Sequence, residues 1–388
     1  MKHTISVTVL LLCFVALMLP TYGDNALSQD WVPTTILLDE NLSTSTANQI
    51  LQTKDRYIWF ATYDGLVRYD GTTFKTYNAY YEPSFDANSV RALFQDSKDR
   101  LWIGTNDSGL YYYMDGVFHG LERSDGFCYS MVLSIAEDQK GAIWVGGPDG
   151  LYQISITDHQ TLQSDLVNNV ALKDICVDCH NRIWAVTASG ALKRLSESHE
   201  WLTPEELPEA QTQQIECIES VDGEIWIGGT DDRLLLCHSG QVWELMKGSD
   251  TFGLEAYTRI FADGSRYIWF CADNGIGCYD RIQNTFLDVN QGNIPIRHAV
   301  ESVIQDHEGS LWISSSRSGI VKLSAGKFKN ITTENGLTNE IVNAVLNVDR
   351  QLWVGTDHGL TIIENGAVVE NELTALLEGE RIRHMMRD

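Results

Sequence analysis

The chain has 388 residues, 43% of them hydrophobic, with 53 acidic against 28 basic side chains and a formal net charge of −25 at pH 7. A surface this anionic repels nucleic acid and anionic lipid, both of which need a positive field, and leaves neutral or cationic ligands, or plain solubility, as its uses. The length would ordinarily suggest two or three domains, but internal repetition overrides that prior.

Residues 1–23 read as a secretory signal peptide. Lys2 gives a basic start, residues 5–19 form an apolar core, and Thr21-Tyr22-Gly23 ends in small residues suited to cleavage before Asp24. The apolar run is short for a membrane span of roughly 20 residues. Export to the periplasm is the expectation. Next, Thr34-Thr35-Ile36-Leu37-Leu38 lies where the fourth strand of a repeat would fall.

From there one unit recurs. Tryptophan returns at Trp59, Trp102, Trp144, Trp184, Trp226, Trp269, Trp312 and Trp353, with successive gaps of 43, 42, 40, 42, 43, 43 and 41 residues. A period of about 40–50 residues marks a propeller or solenoid array. In the copy around Trp102, four short strand-like runs fit inside one period: residues 89–95, 101–105, 110–113 and 117–119. Each is bounded by Gly, Asp, Asn or Ser. Nothing between them carries a 3.6-residue period long enough for a ten-residue helix. Gly65, Gly109, Gly150, Gly190, Gly275, Gly319 and Gly359 follow their tryptophans at a nearly constant distance, which predicts hairpin turns needing positive φ. The fifth repeat has Asp232 instead. Small residues after the tryptophan, such as Gly104, Gly146 and Gly228, would let neighbouring sheets approach, and the indole is expected to fill the wedge between them.

A lone four-stranded sheet cannot bury both faces, whereas radial packing does so. The expected fold class is all-β: a β-propeller of four-stranded blades, seven-bladed, with an eighth repeat beginning a second propeller. A single eight-bladed ring is the alternative. The early strand at Thr34 would close the ring on the seventh blade or on the eighth, with the seventh preferred. The expected domains are residues 24–330 for the first propeller and 331–388 for the start of a second. The run 381–388 aligns with the run 89–96 that leads into a tryptophan strand. The chain stops about six residues before a ninth tryptophan falls due, so it reads as an N-terminal piece of something longer.

The stretches Asp306-His307-Glu308-Gly309-Ser310-Leu311-Trp312-Ile313 and Leu352-Trp353-Val354-Gly355-Thr356-Asp357-His358-Gly359-Leu360 resemble the repeat of the two-component regulator propeller family. That resemblance covers about residues 31–388. It implies two consecutive seven-bladed propellers serving as the periplasmic sensor region of a hybrid two-component or diguanylate-cyclase receptor. The membrane would be reached only through a downstream segment, and the full-length receptor could be a homodimer. The family's propellers have no fixed catalytic residues, so none are carried over.

Several constellations invite chemistry. Cys176-Val177-Asp178-Cys179-His180 has the c-type haem attachment pattern, but its Asp178 stands where Asp96 stands in the repeat, on a turn. Seven cysteines follow the signal peptide, an odd number, and they are read as buried thiols. Asp96, Asp99, Asp231, Asp232 and Asp263 could face calcium, yet Asx residues also serve tight turns. The histidines, among them His119, His159, His238, His298, His307 and His358, are scattered and show no triad. No enzyme motif, cofactor or metal is assigned. Candidate ligand-binding residues are those of the loops after the tryptophan strands: Tyr63, Asp64, Asn106, Asp107, Asp231, Asp232, Asp357 and His358. Such loops on a rigid scaffold suit a small ligand such as a sugar or peptide. Secreted scaffold protein and propeller lyase stand as competing readings, the latter requiring acid–base residues gathered at the central channel.

Overall fold

A computed structural model of the chain describes residues 31–36, 46–121, 131–156, 162–205, 207, 211–238, 242–246, 253–263, 266–287, 289, 299–315, 319–325, 331–333, 336–349, 351–364 and 367–386. The signal peptide expected at 1–23, residues 122–130 with Cys128, and His159 and His298 lie outside these residues. The chain divides into two compact units, Met1–Ala325 and Gly326–Asp388.

In the first unit the described residues build seven antiparallel sheets of four strands. Six of them are consecutive in sequence: inner strand, tryptophan strand, third strand, outer strand. The second sheet is typical, with Val90–Gln95, Leu101–Thr105, Leu110–Met114 and Val117–Gly120 paired in that order. The seventh takes its outer strand from the other end of the unit. Trp31–Ile36 pairs antiparallel with Gly319–Ala325, from Trp31 opposite Ala325 to Ile36 opposite Ile320. Each inner strand packs on the next, and that of the seventh sheet packs on that of the first.

The packing follows from the tryptophans. The seven recurring tryptophans of this unit are all buried, and each joins the apolar cluster shared between its own sheet and the following one. Trp102 meets Val132, Ile135 and Val145 of the third sheet. Trp312 meets Ile50, Phe60 and Val67 of the first, closing the circle. The small residues two places on make room. A Cβ on Gly104 would lie 2.5 Å from Val132, and one on Gly228 would lie 2.5 Å from Tyr257.

The aspartate six residues before the tryptophan braces the turn. Asp96 is 2% exposed; its carboxylate accepts from the Trp102 indole at 2.7 Å, from Arg100 Nε at 2.5 Å, and from the Lys98 and Arg100 amides. Asp138, Asp178 and Asp306 repeat the arrangement with Trp144, Trp184 and Trp312 at 3.1, 2.9 and 2.8 Å. Trp59 uses Thr53, and Trp226 uses Glu224. These side chains therefore serve the turn, which accounts for Asp96 without calcium. The glycine-less fifth hairpin closes differently: Asp231 accepts from the Arg233 amide at 3.1 Å and from Arg233 Nε at 2.6 Å, and no residue there has positive φ.

The second unit holds one further four-stranded sheet, Val342–Val348, Gln351–Thr356, Gly359–Glu364 and Ala367–Val369, followed by a short helix, Glu372–Leu376, capped by Asn371. Ile382 then donates its amide to Thr356 and lies over Gly355, where an added Cβ would be 2.5 Å from Ile382. Val132 stands in the same relation to Thr105 and Gly104. Among the described residues no helix is long and apolar enough to cross a membrane.

Candidate functional site

Seven inner strands facing a common axis leave a channel between them. Its enclosed part has a volume of about 630 Å³ and is lined by inner strands of the first six sheets. That size lies within the range of small-molecule sites. Two positions of the inner strand decide its chemistry. One lies opposite the residue two after the tryptophan, and is Gln49, Ala92, Ser134, Asp174, Cys217, Arg259 and Ser302 in the seven sheets. The other lies opposite the tryptophan itself, and is Leu51, Phe94, Ala136, Cys176, Glu219, Phe261 and Ile304.

At the first position the side chain reaches across to the next inner strand. Gln49 accepts from the Leu93 amide at 2.8 Å, Ser134 from Ile175 at 3.2 Å, Asp174 from Ile218 at 3.0 Å, and Ser302 from Ile50 at 3.0 Å. The strands that meet at the axis cannot ladder-pair with one another, so these side chains satisfy amides that would otherwise be buried without acceptors. This belt explains small polar residues where an apolar one would be expected.

It does not explain the charges. Asp174, Glu219 and Arg259 come from three consecutive sheets, the fourth to the sixth, and Lys173 and Glu216 form an ion pair beside them. Glu219 stands where the other six sheets carry an apolar side chain. Burial pushes its carboxyl up to about 8, and the Asp174 charge pushes the same way. Burial raises the Asp174 carboxyl too, against the pull of Ser134 and of the Ile218 amide. Burial also holds the nearby Cys176 thiol well above its ordinary value, so this cysteine is un-ionised at neutral pH and a poor nucleophile. The Arg259 guanidinium acts on both carboxyls through space but, among the described residues, makes no hydrogen bond or ion pair.

The loops after the tryptophan strands lie against the connections that enter the inner strands. Asn106 donates to Ser89 O, Ala188 to Ala171 O, Thr230 to Gln214 O and Asp273 to Ala256 O. Of the loop residues singled out in the sequence, Tyr63 is 49% exposed and receives a 3.3 Å bond from Arg91, itself on the channel wall. Asp64 offers its carbonyl to Asn78, and Asn106 bonds Ser89 Oγ at 2.7 Å. Asp107 is exposed, as is Asp232. Asp231 is held by Arg233. Asp357 and His358 belong to the second unit; there Asp357 accepts from Asn343 and Arg381, both at 2.7 Å, and His358 faces Asn339. Six of the eight thus belong to the first, second and fifth sheets of the first unit, and two to the second unit.

The haem-like motif separates in space. Cys176 is buried against Trp184, while Cys179 and His180 are exposed on the turn that Asp178 braces. Among the described residues, Cys176, Cys179, Cys217, Cys237, Cys271 and Cys278 form no disulfide. Cys271 and Cys278 lie on paired strands but opposite Ile276 and Trp269, not opposite each other. Among the described residues no group of His, Cys, Asp or Glu is arranged to hold a metal ion.

Residues 84–107, the inner and tryptophan strands of the second sheet with their approaches, match the model of the two component regulator propeller family. No curated protein matches the sequence. Among solved structures, the extracellular domain of the putative hybrid two component system BT3049 from B. thetaiotaomicron is 22% identical with a TM-score of 0.63, over 88% of this chain and 49% of that one. The corresponding domain of BT4673 from the same organism is 18% identical with a TM-score of 0.57, over 88% and 46%. Virginiamycin B lyase from Staphylococcus aureus is 18% identical with a TM-score of 0.59, over 76% and 99%. The chain thus spans about half the length of the two-component extracellular domains it matches. At these identities the likeness shows the fold, a β-propeller.

Proposed function

We propose, from the premise that this chain carries the two component regulator propeller repeat, that it is the ligand-binding extracytoplasmic sensor module of a bacterial transmembrane receptor. The observation that carries this reading is the first unit itself: a closed ring of repeats around a polar channel of ligand size, similar in fold to extracellular domains of hybrid two component systems. The ring supplies a rigid wall, and its channel and loops supply the recognition. Exported by its first 23 residues, the module works in the periplasm. It passes ligand binding to a cytoplasmic kinase or diguanylate cyclase lying beyond this chain. Residues 326–388 then begin a second propeller, a role supported by Ile382 repeating the placement of Val132.

Thermal unfolding in the presence of amino acids, short peptides and oligosaccharides tests this. A true ligand at about 100 times its Kd stabilises by about 2.7 kcal/mol and raises Tm by several degrees. A receptor gene lacking the codons for residues 90–120 should lose its response to that ligand in cells. A response that persists without the second sheet would sink the sensor reading.

One observation favours a lyase as the second reading: titratable carboxyls do gather in the channel, at Asp174 and Glu219. Consumption of a ligand, followed by mass spectrometry, would shift the balance toward it.

A further inference from the structure

The charged sector of the channel breaks its own repeat. Six of the seven sheets place an apolar residue opposite the tryptophan, and the fifth places Glu219. At the neighbouring position the other sheets use small or uncharged residues, and only the fourth and sixth use Asp174 and Arg259. All three are half-buried on the channel wall; charge placed there is costly unless paired, and the other sheets show that the fold does not require it. Asp174 contributes one bond to the amide belt; Glu219 and Arg259 contribute none. The three converge from consecutive sheets on one side of a cavity of about 630 Å³.

Their arrangement is dipolar. Lys173 and Glu216 neutralise each other. That leaves two carboxyls and one guanidinium that influences both without touching either. Asp174 already accepts from the Ser134 hydroxyl at 2.7 Å and from the Ile175 and Ile218 amides at 3.0 Å, but among the described residues no basic side chain touches either carboxyl and no acid touches the Arg259 guanidinium. A ligand carrying an ammonium and a carboxylate supplies both. We propose that Asp174, Glu219 and Arg259 form a channel site for a small zwitterion of the free amino-acid class, its ammonium on the two carboxyls and its carboxylate on the guanidinium. This rests on the ligand-binding reading above and names the ligand class. The strongly negative chain would also draw the ammonium end inward.

Binding is proton-linked. With its carboxyl pushed up to about 8, Glu219 is protonated in the empty site at neutral pH and must release that proton to hold an ammonium. Facing it are Asp174 and Cys176 from the fourth sheet and Arg259 from the sixth; the thiol stays neutral over this range. Affinity should therefore rise about ten-fold per pH unit from pH 6 toward pH 8.

Calorimetry on the full chain with leucine, leucinamide and N-acetylleucine tests the site. Leucine should bind at millimolar concentration or below, leucinamide about ten-fold more weakly for want of the Arg259 partner, and N-acetylleucine least of all. The heat at pH 7 should vary with the ionisation enthalpy of the buffer, reporting a released proton, and E219Q should abolish that variation. R259Q should remove the preference for leucine over leucinamide, and stands in where E219Q fails to fold. Equal binding of N-acetylleucine and leucine, or no binding of any amine at 10 mM, overturns the proposal. In that case, a different ligand found by thermal unfolding would leave the sensor reading standing.

Discussion

Asp96 and Glu219 are both carboxyls on or beside inner strands, and their surroundings give them opposite roles. Asp96 is surrounded by donors, from the Trp102 indole, Arg100 and two amides, so its charge is welcome and the turn depends on it. Glu219 lines a channel of mixed polar and apolar wall beside a second carboxyl; it accepts from the Ser220 amide and feels the Arg259 charge, but burial and the Asp174 charge outweigh both. The sign of its effect on stability follows. Between the ordinary glutamate value of 4.5 and about 8, the folded chain holds a proton that the unfolded chain has lost. Stability from this group is full below 4.5 and is lost as pH rises toward and through 8. E219Q has no such group, so its urea midpoint should gain on that of the parent chain steadily from pH 5 to pH 8. Parallel midpoints across that window would mean that Glu219 is not held protonated. The sequence showed Asp96 as part of a motif. Glu219 was visible only as an exception to the column opposite the tryptophans, a signal that a strict alignment of the repeats would have exposed.

The hairpin between the tryptophan and third strands is the element most fully written in local sequence. Gly65, Gly150 and Gly359 have φ of 127°, 122° and 137°, as the recurrence of glycine at that place predicts. At Gly150 sterics add to the backbone: a Cβ would lie 2.1 Å from Asn168 O on the neighbouring strand. Gly116, also with positive φ (86°), would meet nothing within 4 Å. Gly150→Ala should therefore cost about 3 kcal/mol or more and Gly116→Ala about 1 kcal/mol, from backbone strain alone in the latter case. Chemical denaturation of the two variants measures the difference. Equal losses would show that the close approach at Gly150 relaxes freely. In the fifth sheet Asp231 and Arg233 supply by side chain what glycine supplies elsewhere. The repeat therefore specifies a turn rather than a residue, and Asp231 takes part in closing it.

At the scale of the whole first unit, stability rests on closure. Seven shared clusters run around the ring, each plugged by one indole, and the last of them joins Trp312 to Ile50 and Phe60. The strand Trp31–Ile36 ties the unit's beginning to its end through a six-residue antiparallel pairing. Deleting residues 31–36 should leave the edge of Gly319–Ala325 unpaired and lower Tm by well over 5 °C, since several ladder bonds at about 1 kcal/mol each are lost at once. Differential scanning calorimetry would show it. An unchanged, fully cooperative transition would mean that indole packing alone holds the ring.

The amino-acid order determined everything with a short reach: four strands per period, the hairpin glycines, the turn aspartates and the indoles. Each depends on residues within a dozen positions of one another, and hairpin pairing is satisfied locally. Which strand completes the last sheet was open in the sequence, because both the seventh and the eighth repeat offer an edge; pairing across nearly three hundred residues chose the seventh. The charged sector was likewise a tertiary decision. Asp174, Glu219 and Arg259 stand at similar phases one repeat apart, and side chains so separated share one cavity only once radial packing brings their inner strands to one axis.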